Sequence, residues 1–327
     1  MTRSAYALRT LRSLDDYHAC VELQEEVWGS GFSERVPTAI LKVAQALGGV
    51  SAGAFDRAGR LQAFVFGLTG LDDQGQVVHW SDMLAVRAGA AGQGLATRLK
   101  WFQRDAVLGR GITRMFWTFD PLRARNAHLN LNKLGAVVRE YRENMYGETE
   151  SQLHRGIGTD RFVALWQLDS ARVTDRAGRR ESAGTSVAPA PSGPGGHGFE
   201  PVGEGRNAEG RRAGMALGAS TPDGTGPPRP GPVRLGLTDS RVHVAIPSDT
   251  GAVMSRDPTV AVAWREATRE ALVHYLERGY EVRELIRGDE AATGLADVAS
   301  YLLEYAPRSA ATAVAPGGAG PVGGGRP

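Results

Sequence analysis

The amino-acid sequence predicts an α/β (α+β) protein: a mixed, twisted sheet with helices on both faces, followed by a small C-terminal α/β extension. Three observations carry this. Strand-like and helix-like periodicities alternate through residues 1–173. A glycine-rich turn, Val86-Arg87-Ala88-Gly89-Ala90-Ala91-Gly92-Gln93-Gly94-Leu95-Ala96, joins a strand to a helix. The composition then breaks and recovers. Residues 174–235 hold 14 Gly and 9 Pro with few large apolar side chains, too little to offset the entropy of ordering, and read as a disordered linker. Residues 236–306 are globular again, and 307–327 form a Gly/Pro/Ala tail.

The elements follow in order. Tyr6 to Leu11 reads as a strand, and Asp15 or Asp16 caps a helix running to Trp28. A second helix fits Pro37 to Leu47, with proline in its first turn. Val50 to Phe55 and Leu61 to Leu68 form a hairpin around Asp56-Arg57-Ala58-Gly59. Gln76 to Arg87 is a strand. Leu95, Leu99, Phe102 and Ala106 recur at helical spacing, which predicts a helix over 92–108, ended by Gly109 and Gly111. Ile112 to Phe119 is a buried strand, Asn126 to Leu134 a short helix closed by Gly135, and Val137 to Tyr141 and Phe162 to Leu168 two more strands. In the extension, Arg241 to Ile246 is a strand stopped by Pro247. Asp257 and Pro258 start a helix whose apolar stripe is Val260, Trp264, Ala267, Ala271 and Tyr275. Gly279 closes that helix, and strands follow at Tyr280 to Ile286 and Ser300 to Tyr305.

Composition narrows the function classes. Lys+Arg is 38 and Asp+Glu 36, a net charge of +2, so no basic stripe points to nucleic acid. One cysteine, Cys20, excludes a disulfide framework or a multi-cysteine metal site. The histidines show no metal-ligand spacing, and no metal is expected. No apolar run is long enough for a membrane span, and the N-terminus lacks a signal-peptide core; a cytoplasmic location is expected. The oligomeric state stays open, a homodimer included.

Chemistry concentrates at the glycine-rich turn. Glycines let successive backbone N–H groups point at one spot, and a helix N-terminus adds partial positive charge, which suits a pyrophosphate. No Gly-Lys-Ser/Thr follows, so it is not a Walker loop, and no βαβ unit precedes it, so it is not a Rossmann loop. With the order β-α-α-β-β-β-α-β-α-β, residues 5–170 resemble the GNAT superfamily of acyl-CoA-dependent N-acyltransferases. Gly94 and Ala96 match the small positions of that family's phosphate loop; Ala91 stands where Arg or Gln is usual. The resemblance implies that Ala91, Gly92, Gln93, Gly94, Leu95 and Ala96 hold the pyrophosphate. It implies that Leu84, Ala85 and Val86 lie on the splayed strand that hydrogen-bonds the pantetheine arm, and that Asn126 also contacts the cofactor. The co-substrate is then acetyl-CoA or succinyl-CoA, and the acceptor a small-molecule amine, with amino acids as the suggested class.

A closer resemblance is to a group of predicted GNAT acetyltransferases. Trp117-Thr118-Phe119-Asp120-Pro121-Leu122, Arg125-Asn126-Ala127-His128, Asn132-Lys133-Leu134-Gly135-Ala136, Tyr146-Gly147, Thr159-Asp160-Arg161-Phe162, Ile246-Pro247 and Ala263-Trp264-Arg265 with Arg269 carry it. It implies that residues 236–306 belong to the functional unit. The family's usual general acid, a tyrosine, falls on Leu131. Tyr146 is the first substitute, with Tyr141 and His128 behind it.

Asp82 lies on the strand approaching the loop, where a carboxylate can take the ammonium proton or anchor the amine; a structural hydrogen bond is the alternative. Period-two alternation puts it on one face with Val78, Trp80, Leu84 and Val86. Glu34 reads as a loop charge or as part of an acceptor wall. Arg265 and Arg269 share a helical face and would suit a substrate or acyl carboxylate; pairing with Glu266 and Glu270 is the alternative. Arg123, Arg125 and Arg161 are further carboxylate-binding candidates. The departures at Ala91 and Leu131 leave a second reading, a catalytically decayed CoA-binding module.

Overall fold

The computed structural model of the 327-residue chain describes residues 5–147, 157–185, 213–221, 226–287 and 293–307. The first half runs Ala7–Thr10 (β1), Leu14–Trp28 (α1), Thr38–Ala46 (α2), Val50–Phe55 (β2), Leu61–Leu71 (β3), Val77–Val86 (β4), Leu95–Leu108 (α3) and Arg114–Phe119 (β5). Ala124–Ala127 (α4) leads into a π-helical turn at His128–Leu134, then Val137–Arg142 (β6), Arg161–Gln167 (β7) and Ala171–Thr185 (α5). The second half comprises Gly214–Ser220 (β8), Arg229–Val233 (β9), Arg241–Pro247 (β10), Thr250–Arg256 (α6), Pro258–Glu277 (α7), Tyr280–Ile286 (β11) and Val298–Tyr305 (β12).

These strands make one mixed sheet in the order β1-β2-β3-β4-β5-β7-β6-β11-β12-β10-β8-β9. Alternation along β3 separates the two faces. Phe64 and Phe66 pack under α1 and α2 with Tyr17, Cys20, Leu23 and Leu41. Ala63 and Val65 face the larger core, which takes side chains from α3 through α7. The N-terminal half therefore has the architecture that the resemblance implies.

The extension continues the sheet rather than forming a body beside it, because Val282 of β11 pairs antiparallel with Val138 of β6. The strand order is palindromic about that seam. In each half a strand–helix–strand–strand unit inserts its last strand between the other two (β5-β7-β6 and β10-β12-β11), and a parallel neighbour flanks it, β4 beside β5 and β8 beside β10.

Several expectations need correction. Ser13, not Asp15 or Asp16, caps α1: its side chain accepts from the Asp16 N–H, and the Asp16 carboxylate returns to the Ser13 N–H. Pro37 is the N-cap of α2, one residue outside it. Helix α3 starts at Leu95, leaving 92–94 in the loop. Helix α6 was not anticipated. The linker expected over 174–235 includes the rest of α5 and both β8 and β9. Composition misleads there because β9 is an edge strand, where its prolines need not donate to a neighbour. The small residues of β8, meanwhile, let Ala216 and Leu217 bury fully. Positions 186–212 and 222–225 of that stretch, and 308–327 of the tail, lie outside the described residues. No helix among the described residues is long and apolar enough to cross a membrane.

Buried ion pairs and hydrogen bonds join the halves. Arg265 of α7 meets Asp120 after β5 at 2.8 Å, both 2% exposed. Arg269, one turn on, holds Asp160 through Nε and Nη2 at 2.8 and 2.9 Å. Asn132 exchanges two hydrogen bonds with the Leu285 backbone, each 3.0 Å, and the Tyr301 hydroxyl donates to the Pro121 carbonyl. Glu266 and Glu270, the alternative partners of the two arginines, form no ion pair with them: α7 lies against the turns after β5 and before β7, and presents its arginines to acids there.

Candidate active site

Strands β4 and β5 are parallel, yet only His79 with Met115 and Trp80 with Phe116 stand in register, although β4 runs on to Val86 and β5 to Phe119. Beyond Trp80 the strands splay, and their facing backbone groups are left without a neighbouring strand. The glycine-rich turn closes the wide end. Arg87 leads into a 3₁₀ turn at Ala88–Ala90, and Ala91, Gly92, Gln93 and Gly94 follow, all exposed. Gly92 (φ 78°) and Gly94 (φ 70°) adopt left-handed backbone, and a Cβ at either would meet open space. Only glycine takes this conformation freely. Gly94 caps α3 with no side-chain hydrogen bond, so the first-turn N–H groups stay available to an anion. Buried Leu95 and Leu99 anchor that helix end in the core. Asn126 is exposed on α4, which begins beyond the open end of β5.

Asp82 is the extra residue of a β-bulge. Phe66 pairs with Met83 but Gly67 with Ser81, so the alternation of β4 resets at Asp82. The face shared with Leu84 and Val86 is therefore corrected. Trp80's face continues with Met83 and Ala85 on the α1/α2 side, while Leu84 and Val86 pack towards α3. The bulge leaves Asp82 reachable from solvent in a crowded recess. Burial raises its carboxyl pKa, the Glu34 carboxylate adds to the shift, and a hydrogen bond from the Trp80 side chain opposes it. Glu34 is held in place by the turn between α1 and α2. Gln24 there bonds Val36 in both directions at 3.1 and 2.8 Å, and Trp28 stacks on Phe32 with centroids 5.3 Å apart.

Across the splay, the Tyr146 hydroxyl lies 3.1 Å from Thr118 Oγ1 on β5, and the ring is 44% exposed. Its turn is tied down by neighbours of β7. Thr159 Oγ1 accepts from the Tyr146 N–H at 3.2 Å and donates to the Gly147 carbonyl at 2.8 Å. Asp160 accepts from the Asn144 N–H at 3.0 Å. The other acid candidates are less open. Tyr141 donates to Asp160 at 2.6 Å, and burial plus that carboxylate drive its pKa strongly upward. His128 is pushed down to about 4 by burial and by Arg287 and Lys133. Leu131, at the family's usual tyrosine position, is fully buried in the core. Arg265 and Arg269 are engaged by Asp120 and Asp160 as described. Burial raises the Cys20 thiol to about 12, which leaves it unreactive.

Sequence reasoning missed what stiffens the floor of the splay. Lys100 of α3 is 3% exposed and forms no ion pair with an acid among the described residues. Its amine donates to Ser81 Oγ at 2.9 Å and lies 3.8 Å from the Trp117 ring centroid. Ser81 donates to Gln103, Gln103 to His79 Nε2 at 3.0 Å, and the His79 Nδ1–H meets Thr69, whose hydroxyl donates to the Gly48 carbonyl. Gly67 makes room for this chain, since a Cβ there would lie 2.4 Å from His79 Nε2. Burial holds His79 down at about 3 and Lys100 well below its ordinary 10.5. A depressed lysine means the unfolded chain binds a proton that the folded chain lacks. Stability from this site is then full above the unfolded value and falls as pH drops towards the folded one. Lys100→Met is expected to flatten the stability profile between about pH 7 and 9, removing a slope of up to about 1.4 kcal/mol per pH unit. Urea unfolding at several pH values measures it; equal slopes would contradict a neutral Lys100.

About half of this chain is similar to solved GNAT acetyltransferases. An acetyltransferase of the GNAT family from Streptococcus pneumoniae is 18% identical over 49% of this chain and 98% of its own, with a TM-score of 0.40. The ribosomal-protein-S18-alanine N-acetyltransferase of Escherichia coli is 17% identical over 51% and 96%, TM-score 0.40. A GNAT superfamily phosphinothricin acetyltransferase from Sinorhizobium meliloti, solved with acetyl-CoA, is 13% identical over 49% and 87%, TM-score 0.41. No protein-family model matches the chain, and no curated protein does either.

Proposed function

We propose that this protein is an acyl-CoA-dependent N-acyltransferase that moves an acetyl or succinyl group to the primary amine of a small molecule. One observation carries the reading: β4 and β5 part company after Trp80 and Phe116, beside a helix N-terminus that no side chain caps. A slot between strands suits an extended pantetheine arm, which can pair with the free strand edges. The loop through Ala91, Gly92, Gln93 and Gly94 into Leu95 and Ala96 suits the pyrophosphate. Leu84, Ala85 and Val86 line one edge of the slot, and Asn126 stands beyond the end of the other.

The amine attacks the thioester carbonyl directly. A C–N bond forms, the tetrahedral oxyanion collapses, and the C–S bond breaks. Asp82 takes the ammonium proton, a task its raised pKa favours, and passes it to solvent; it then takes the second proton from the nitrogen of the tetrahedral intermediate as that collapses to the amide. Glu34 beside it adds negative charge that draws the ammonium in. The Tyr146 hydroxyl, oriented by Thr118, gives its proton to the departing thiolate and recovers one from solvent. Holding amine and thioester in line supplies much of the rate.

The test is thiol release from acetyl-CoA and succinyl-CoA against a panel of amines and L- and D-amino acids. Amine-dependent CoA release is expected. CoA binding without release would favour the non-catalytic module, which the absence of a hydroxyl at Leu131 would then explain.

A further inference from the structure

We propose that Arg161 is the carboxylate-binding residue of the acyl-transfer site, an assignment that rests on the acyltransferase reading above. The first argument is position. Trp80 pairs with Phe116, Phe116 with Leu165, and Thr118 with Val163. Paired residues share a sheet face, and β7 alternates without interruption, so Arg161 joins Val163 and Leu165 on the face that carries Trp80, Phe116 and Thr118. This is the side on which Asp82 and Tyr146 stand, opposite α3. The Arg161 guanidinium lies over the Tyr146 ring, 5.1 Å from its centroid, and that ring carries the hydroxyl assigned to protonate the thiolate.

The second argument is electrostatic. Neighbouring arginines are neutralised by acids: Arg142 by Glu140, Arg265 by Asp120, and Arg269 by Asp160 and Glu143. Among the described residues no carboxylate lies within ion-pair distance of Arg161, and its buried Nε has no hydrogen-bond partner. A buried N–H left unpaired costs free energy, so such a group is most readily explained where a ligand completes it. Arg161 is partly exposed, and its donors, set in a planar fork, have the geometry that pairs two N–H groups with the two oxygens of a carboxylate.

The third argument is complementarity. Asp82 and Glu34 make the β4 wall negative, and Arg161 makes the β7 side positive. A molecule with an ammonium and a carboxylate fits that polarity, and an amino acid acceptor is the simplest example. The carboxylate has one other source, the distal end of a succinyl donor.

The experiment compares the full-length chain with Arg161→Met and Arg161→Lys by thiol release. Acetyl-CoA and succinyl-CoA are each offered with amino acids and with the amines that lack the α-carboxylate, phenylalanine against phenethylamine and leucine against isopentylamine. Arg161→Met is expected to lower kcat/KM about 100-fold for every pair containing the recognised carboxylate. It is expected to leave acetyl-CoA with phenethylamine or isopentylamine within about twofold, and Arg161→Lys should recover part of the loss. A loss that follows the amino acids places the carboxylate on the acceptor; a loss that follows succinyl-CoA places it on the donor. Equal loss for all pairs, or none for any, overturns the assignment while leaving the acyltransferase reading intact. No CoA release from the unmodified protein with any pair overturns both.

Discussion

Asp82→Asn is expected to lower kcat/KM for acyl transfer by about 10²–10⁴-fold, the range of a lost general base, with CoA affinity unchanged. The bulge puts Asp82 beside the splay, where its only charged neighbour among the causes of its shift is another acid, Glu34. That neighbour gives a second, signed result. A nearby negative charge disfavours ionised Asp82. Glu34→Gln should therefore lower the Asp82 pKa and move the acid limb of the pH–rate profile to lower pH. Asparagine at 82 should abolish that limb. Full activity in Asp82→Asn, or an acid limb that ignores Glu34, would remove Asp82 from the chemistry.

Arg265→Met should destabilise the chain by about 3 kcal/mol, because it takes from buried Asp120 its ion partner at 2.8 Å and leaves Arg123 at 3.9 Å. Arg265 also donates through Nε to the Ile157 carbonyl at 2.9 Å, so the substitution loosens the segment leading to Thr159 and Asp160, which steady the Tyr146 turn. Glu266→Gln and Glu270→Gln, at exposed positions on the same helix, should change stability by no more than about 0.5 kcal/mol. Urea unfolding of the three variants compares the two sets of partners. A mild Arg265→Met with a costly Glu266→Gln or Glu270→Gln would mean that α7 is held by local pairs and not by the N-terminal half.

Local chemistry was the legible part of this chain. The Asp257–Pro258 start of α7 appears as read, with Asp257 accepting from Thr259 and Val260, because cap and proline act within one turn. The glycine-rich loop is legible for the same reason: its backbone conformation is a property of adjacent residues. The bulge at Asp82 was not, since a single inserted residue leaves no mark in composition while it inverts every later side chain of the strand. Strands β8 and β9 were hidden by glycine and proline, and they exist because β10 offers β8 a parallel edge. The partners of Arg265 and Arg269 lie more than a hundred residues away in sequence. Charge spacing on one helix pointed to neighbours, and only the palindromic sheet reveals the true ones. Arg161 was one of three further carboxylate-binding candidates in the sequence, beside Arg123 and Arg125; the unpaired Nε that singles it out is visible only in three dimensions.

The most direct test of the central claim is a calorimetric titration with CoA, performed on the unmodified chain and on Gln93→Glu. The substitution adds a negative charge to the exposed loop without disturbing Gly92 or Gly94. If the loop and the splay hold acyl-CoA, the unmodified chain binds one CoA per molecule, and Gln93→Glu binds it at least about tenfold more weakly through repulsion of the phosphates. Absence of CoA binding, or equal affinity in the two proteins, would contradict the assignment of this site.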